Sequence, residues 1–328
     1  IRPDYAVEKG LTIIKILVCM SILYSYYSVR NNALEELISV LFLASCIVVF
    51  YSFIFYGKDL IIDAILRSKR LENTFTNVNS IGMVGGVMII ISIFKFIYDK
   101  SIWYMIFDIP AVILILATAS RKALLMVVIG VFLLFVFKNL SRNIFITVFW
   151  TICISLITFL LIRWLMSLEA FSVIEKRMDG MVALFTGRGI VDSSTWLRYE
   201  YIKLGFKIFK ENPIFGIGMG NARLFVSSNY GRDAYLHNNY VELLANGGIF
   251  GFLIYYYIYY LVINDLIKYF KYREKYTVVV IILMLMQLIM DYGNVSYYYK
   301  TTIFYFLIFY ISIRKMKEKK RSETISFN

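Results

Sequence analysis

The chain has 328 residues, 60% of them hydrophobic and only 17% charged, with a mean hydropathy of +0.69. That leaves too few charged side chains to cover the surface of a soluble domain, where about a quarter of residues are charged, while 27 Tyr and 27 Phe exclude a disordered chain. The excess of 35 Lys and Arg over 22 Asp and Glu belongs to a chain too apolar for a nucleic-acid binder, and it points to anionic lipid headgroups and anionic substrates.

The composition is that of an all-α, polytopic membrane bundle, in which each helix crossing ~30 Å of hydrocarbon needs ~20 residues. Ile1–Gly10 is neither apolar nor built like a signal peptide, so the sequence is expected to start within a longer protein, with further spans upstream. Continuous apolar stretches then predict nine spans, at 11–29, 37–56, 80–98, 102–120, 123–138, 144–165, 248–266, 276–293 and 301–314. Cys19, Cys46 and Cys153 lie inside these runs and read as small buried hydrophobes rather than a disulfide or metal framework.

Two connections are long: a polar loop at 57–79 and an 82-residue insertion at 166–247. Three regions follow: N-terminal spans over 1–165, the insertion over 166–247, and C-terminal spans with a basic tail over 248–328. Placing the tail (Arg314, Lys315, Lys317, Lys319, Lys320, Arg321) in the cytoplasm puts most short-loop Lys and Arg inside and the insertion on the extracytoplasmic face. Within the insertion, 195–211 reads as an amphipathic helix with Glu200, Lys203, Lys207 and Lys210 on one face and Leu197, Tyr201, Leu204 and Ile208 on another. Asn212-Pro213 ends it, and its apolar face is expected to lie on the membrane surface. A short helix follows from Asn239 to Gly247-Gly248, with Asn239 as N-cap and Glu242 completing a capping box.

This orientation gathers Arg70, Asn79, Ser120-Arg121-Lys122, Arg188, Arg223 and His237 at one membrane face. Guanidinium forks match the oxygens of a diphosphate and never lose their charge, and Arg121 stands on the side where a basic anchor is disfavoured. His237 is the sole imidazole, and an ordinary pKa near about 6.5 lets it accept a proton at neutral pH. Gly216-Ile217-Gly218-Met219-Gly220 follows no buried strand, so it reads as a flexible turn that brings backbone to membrane or substrate, not as a nucleotide loop. Asp192, Asp233 and Asp291 lack paired-carboxylate spacing, and one histidine cannot make a His-rich metal site.

The strings ATASRKALL (117–125), FTGRG (185–189), ENPIFGIGMGN (211–221) and YLHNNYVELLANGGIFG (235–251), with RLENTFTNVNSIG (70–82) upstream, resemble the signature run of the O-antigen ligase and Wzy-type polysaccharide polymerase superfamily in order and spacing. The resemblance runs from about residue 70 to 266. It implies a GT-C-like membrane glycosyltransferase of the plasma membrane that uses undecaprenyl-diphosphate-linked oligosaccharides as donor and acceptor at the outer face, without cofactor, metal or nucleotide sugar. It implies His237 as the base, Arg121 and Arg188 as diphosphate contacts, and Arg70, Asn79, Arg223 and Asn238 as further substrate contacts. A chain-length regulator and a flippase are the pathway partners it implies. The sequence departs from the family pattern at Val78, where proline is frequent, at Lys122, where glycine is common, and at Trp196, which follows the Gly-Arg pair later than the usual aromatic. A composition rich in Ile, Lys, Asn, Tyr and Phe suggests an AT-rich genome of the kind found in Gram-positive capsule producers, and so a polymerase; the alternative is a ligase acting on a lipid A core. Transport of lipid-linked saccharide is disfavoured, because ionisable groups are scarce in mid-span.

Overall fold

The computed structural model describes residues 3–67, 70–71, 77–140, 144–168, 172–189 and 191–326, so Ile1 and the middle of the 70–82 string (72–76) lie outside the described residues. Among the described residues the fold is all-helical: α1 (Pro3–Ser28), α2 (Ala33–Leu66), α3 (Val78–Asp99), α4 (Asp108–Thr118), α5 (Arg121–Lys138), α6 (Ile144–Met166), α7 (Ser172–Thr186), α8 (Ser193–Glu211), α9 (Ala222–Tyr230), α10 (Asn239–Tyr269), α11 (Lys275–Asp291) and α12 (Lys300–Ser326). Among the described residues four helical runs are long and apolar enough to cross a bilayer: α2, α3, Phe145–Trp164 within α6, and Asn239–Tyr272 containing α10. The chain is a membrane protein.

Each apolar stretch read from the sequence is helical, with four differences. The stretch 102–120 is broken into a 3₁₀ turn, Ile102–Phe107, and the eleven-residue α4. Pro110 sits in the first turn of α4, where its missing N–H is tolerated but cannot bond back to continue a helix from 102. The loop expected at 57–79 begins as helix, because Leu60-Ile61-Ile62 carries α2 on to Leu66 beyond a break at Gly57 (φ 69, ψ 160). The tail is not separate from the last span, since α12 runs through both. Of the three cysteines only Cys46 is buried, and Cys19 is exposed on α1.

The chain divides into two units. One comprises residues up to Leu34, Ser193–Val280 and the chain from Gln287; in it α1 packs on α12, and α10 packs on α8 and α12. The other comprises Glu35–Asp192 with Ile281–Met286, and is centred on α3, which packs on α4 and α5. Inside the first unit, Tyr201 and Ile208 of α8 are buried with Ala222 and Val226 of α9, Leu236, and Val241 and Ala245 of α10. The apolar face of α8 therefore covers protein, not membrane, which corrects the surface-lying helix expected from its periodicity. Gly205 makes the packing possible, since a Cβ there would lie 2.3 Å from Val241 Cγ1.

The glycine-rich string is likewise not a free turn. Ile217 and Gly218 donate N–H bonds to the carbonyls of Ala245 and Asn246, and Ile249 and Phe250 donate to Pro213 and Ile214. These bonds knit 213–218 to the point where α10 breaks at Gly248 (φ 61). Gly216 (φ 65) and Gly248 are both needed at this crossing: a Cβ on either would meet the opposing backbone at 2.5 Å and 2.3 Å respectively.

Candidate functional site

The site residues fall into two clusters, one in each unit. In the first unit, His237 occupies the turn that enters α10, and its backbone is left-handed (φ 57). Such a conformation in a residue with a side chain persists only where the surroundings fix it, and here they do so on both sides. After His237, Asn238 is the N-cap, its side chain accepting from the Val241 N–H at 3.1 Å. Before it, the Leu236 N–H donates to Glu242 Oε2 at 2.7 Å. Glu242 is 1% exposed, and its other oxygen accepts from Asn246 Nδ2, whose Oδ1 in turn accepts the Ala222 N–H that opens α9. The capping box expected between Asn239 and Glu242 is thus not formed: the N-cap is Asn238, one residue earlier, Glu242 is a strut for the turn through Leu236, and the Asn239 side chain serves another contact.

The imidazole is half-buried. Its ring lies 4.2 Å from the Tyr235 ring and parallel, at 6.0 Å, to that of Tyr201. Burial pushes the Tyr235 phenol above its ordinary value, against the opposing pull of Arg198 and Arg223, so it remains a neutral hydrogen-bonding hydroxyl. Arg223 is turned toward the loop that leads into His237, with Nε donating to Asp233 Oδ1 at 2.9 Å and Nη2 donating to the Asp233 carbonyl.

A buried polar network anchors the next residue. Asn239 Nδ2 donates to Asp291 Oδ2 at 3.1 Å, and Asn239 Oδ1 accepts the Ser296 and Tyr297 N–H groups at 2.8 and 3.1 Å. Asp291 is fully buried and also accepts from Gln287, Tyr256 and Ser296. The start of α10 is thereby tied to the loop between α11 and α12. Sequence reasoning passed over Arg198 and Tyr235 and set Asp291 aside for want of a paired carboxylate; an aspartate closing an apolar run was the one available signal for it.

In the second unit the cluster forms at the corner between α4 and α5. Ala119 takes a left-handed conformation (φ 45), and the Ser120 side chain caps α5, so Arg121 is the first helical residue. Its side chain is 9% exposed and Nη1 lies 3.5 Å from Asp192 Oδ2. Arg70 Nε donates to the Thr118 carbonyl at 3.2 Å and Nη2 to Asn79 Oδ1 at 3.1 Å, while the Leu71 N–H donates to the Ala117 carbonyl. Gly82 lets α3 reach the same corner, since a Cβ would stand 2.8 Å from Thr118 Oγ1. Arg188 is exposed in the turn after α7, where its N–H meets Thr186 Oγ1 at 3.3 Å. The structure therefore joins Arg70 to Asn79, Arg121 to Asp192 and Arg223 to Asp233, and leaves Arg188 at the surface. Among the described residues no three His, Cys, Asp or Glu side chains gather into a metal-binding group.

Arginine and lysine at residues 121 and 122 stand at the N-terminus of α5, where unpaired N–H groups already make the field positive and acidic residues are the stabilising choice. A corner built this way holds positive charge in excess and suits an anion. The His237 turn instead presents an imidazole packed against the Tyr235 and Tyr201 rings. No curated protein matches the chain. Residues 106–256, which take in both the Arg121 corner and the His237 turn, match the family model described as O-antigen ligase. Over that stretch, just under half of its length, the chain is similar to the O-antigen ligase family, which supports a place in the superfamily of O-antigen ligases and Wzy-type polymerases.

Proposed function

We propose that the protein is a metal-independent, inverting glycosyltransferase that polymerises undecaprenyl-diphosphate-linked oligosaccharide repeats into a capsular or extracellular polysaccharide or O-antigen. In this reading nine helical segments cross the plasma membrane, the 3₁₀ turn and α4 together forming one of them, the tail is cytoplasmic and 166–247 faces outward. His237 takes the proton of an acceptor sugar hydroxyl as its oxygen attacks the anomeric carbon of the donor. The bond from that carbon to the diphosphate oxygen breaks, and its electron pair leaves with the undecaprenyl diphosphate. Arg121 and Arg188 stabilise the charge that grows there, with Arg70, Asn79, Arg223 and Asn238 supporting substrate. Attack opposite the leaving group inverts the anomeric carbon, and His237 then releases its proton to solvent.

The observation that carries the reading is the His237 turn, which holds the chain's sole imidazole in a left-handed conformation by contacts on both sides while leaving the ring half-exposed. The family's description favours the second reading, a ligase, which differs only in its acceptor. The test is to incubate the purified protein with lipid-linked repeats in chelator. A ladder of products on undecaprenyl diphosphate supports the polymerase. Transfer only to an added lipid A core supports the ligase, and intact repeats with either acceptor overturn both.

A further inference from the structure

Away from both clusters, a cavity of about 370 Å³ lies between the end of α10 and the extension of α12, lined by Tyr269, Lys317, Lys320, Arg321, Thr324 and Ile325. Its volume falls within the range of small-molecule sites, which starts near about 300 Å³, and its charge is one-sided. Lys317 Nζ is 2.8 Å from Asp265, and Glu318 is engaged by Arg314 and Lys315. Among the described residues neither Lys320 nor Arg321 forms an ion pair. Lys317 and Lys320 instead stand 5.3 and 5.4 Å from the centroid of the Tyr269 ring. An aromatic face eases but does not neutralise two ammonium groups and a guanidinium gathered around one space.

The depth of the cavity indicates what fills it. The apolar run of α10 ends at 266 and that of α12 at 313, so Tyr269 and Lys317 follow within about one helical turn, roughly 6 Å beyond the hydrocarbon, and the long side chains of Lys320 and Arg321 start one turn further out, at roughly 11 Å. Tyrosine is enriched at that level of a bilayer, and basic pockets between helices there receive anionic headgroups. We propose that this cavity is a binding site for a phosphate-bearing anion, with the headgroup of an anionic phospholipid as the ligand that its depth favours. Lys320 and Arg321 hold the phosphate, Lys317 is held in place by Asp265, and Tyr269 forms the wall.

The test uses the full chain in nanodiscs of phosphatidylcholine, with and without phosphatidylglycerol, read by melting and by native mass spectrometry of retained lipid. Phosphatidylglycerol should raise the melting midpoint of the wild type and of a Lys271→Gln control, whose lysine is outside the cavity lining. In K320Q/R321Q the upward shift should vanish and retention should weaken roughly 30-fold, whereas K320R/R321K, which keeps both charges, should behave as wild type. If inorganic phosphate in phosphatidylcholine discs gives the same shift, lost in K320Q/R321Q, the site stands and its ligand is a soluble phosphate. Equal phosphatidylglycerol retention by wild type and K320Q/R321Q, or no shift with either probe, overturns the proposal.

Discussion

His237 holds a backbone conformation that costs an L-residue roughly 1–2 kcal/mol, yet it carries the side chain the proposed chemistry needs. Strain and chemistry can be separated at this position. His237→Gly removes the imidazole and relieves the left-handed backbone together, so the melting temperature should stay within a few degrees while transfer falls by about 10²–10⁴, the usual worth of a positioned base. At Arg121, replacement by lysine keeps the charge but not the fork, and kcat/KM should drop roughly 10- to 100-fold if charge-assisted bonds to diphosphate are lost. Asp291 is a matter of stability first. Asp291→Ala leaves the groups that donate from Asn239, Gln287, Tyr256 and Ser296 without their acceptor in a buried site, at a cost of about 3 kcal/mol or more. Asp291→Asn should cost less, as a chemical melt of the two variants would show. Gln287 and Ser296 are sequence neighbours of Asp291, but Tyr256 and Asn239 are 35 and 52 residues away, beyond any window that periodicity can use.

Among the elements, the helices were legible and their partners were not. The 195–211 helix was read to within two residues at its start, because the 3.6-residue alternation of Tyr201, Leu204 and Ile208 with Glu200, Lys203 and Lys207 is strong. Periodicity says that a face is covered, however, and not by what, so Val241 and Leu236 took the place assigned to lipid. The same limit applied to the glycines, whose spacing signalled freedom but not that Gly216 crosses the backbone of Asn246. Gly216→Ala and Gly248→Ala should each cost about 2 kcal/mol or more, combining positive φ with contacts under 3 Å. Gly251→Ala, on the same helix with open space at its Cβ, should be neutral or slightly stabilising. Thermal melts of the three in one detergent decide this.

For the whole molecule, hydropathy sufficed for the class, since Phe and Tyr in such numbers leave a bilayer as the only solvent for α2, α3, α6 and α10. The signature strings carried the superfamily, but they named residues one by one and could not show that Arg70 is engaged by Asn79 and Thr118, or that Asn238 is a cap. The orientation rests on lysine and arginine alone and can be checked directly. With Cys19, Cys46 and Cys153 replaced, a cysteine at Asn229 should react with impermeant maleimide in intact cells, and one at Ser322 only after lysis. The decisive measurement is the product of His237→Ala in cells supplied with the repeat unit. Single lipid-linked repeats should accumulate at wild-type protein levels with no longer chains; an unchanged ladder would show that the imidazole takes no proton in this reaction.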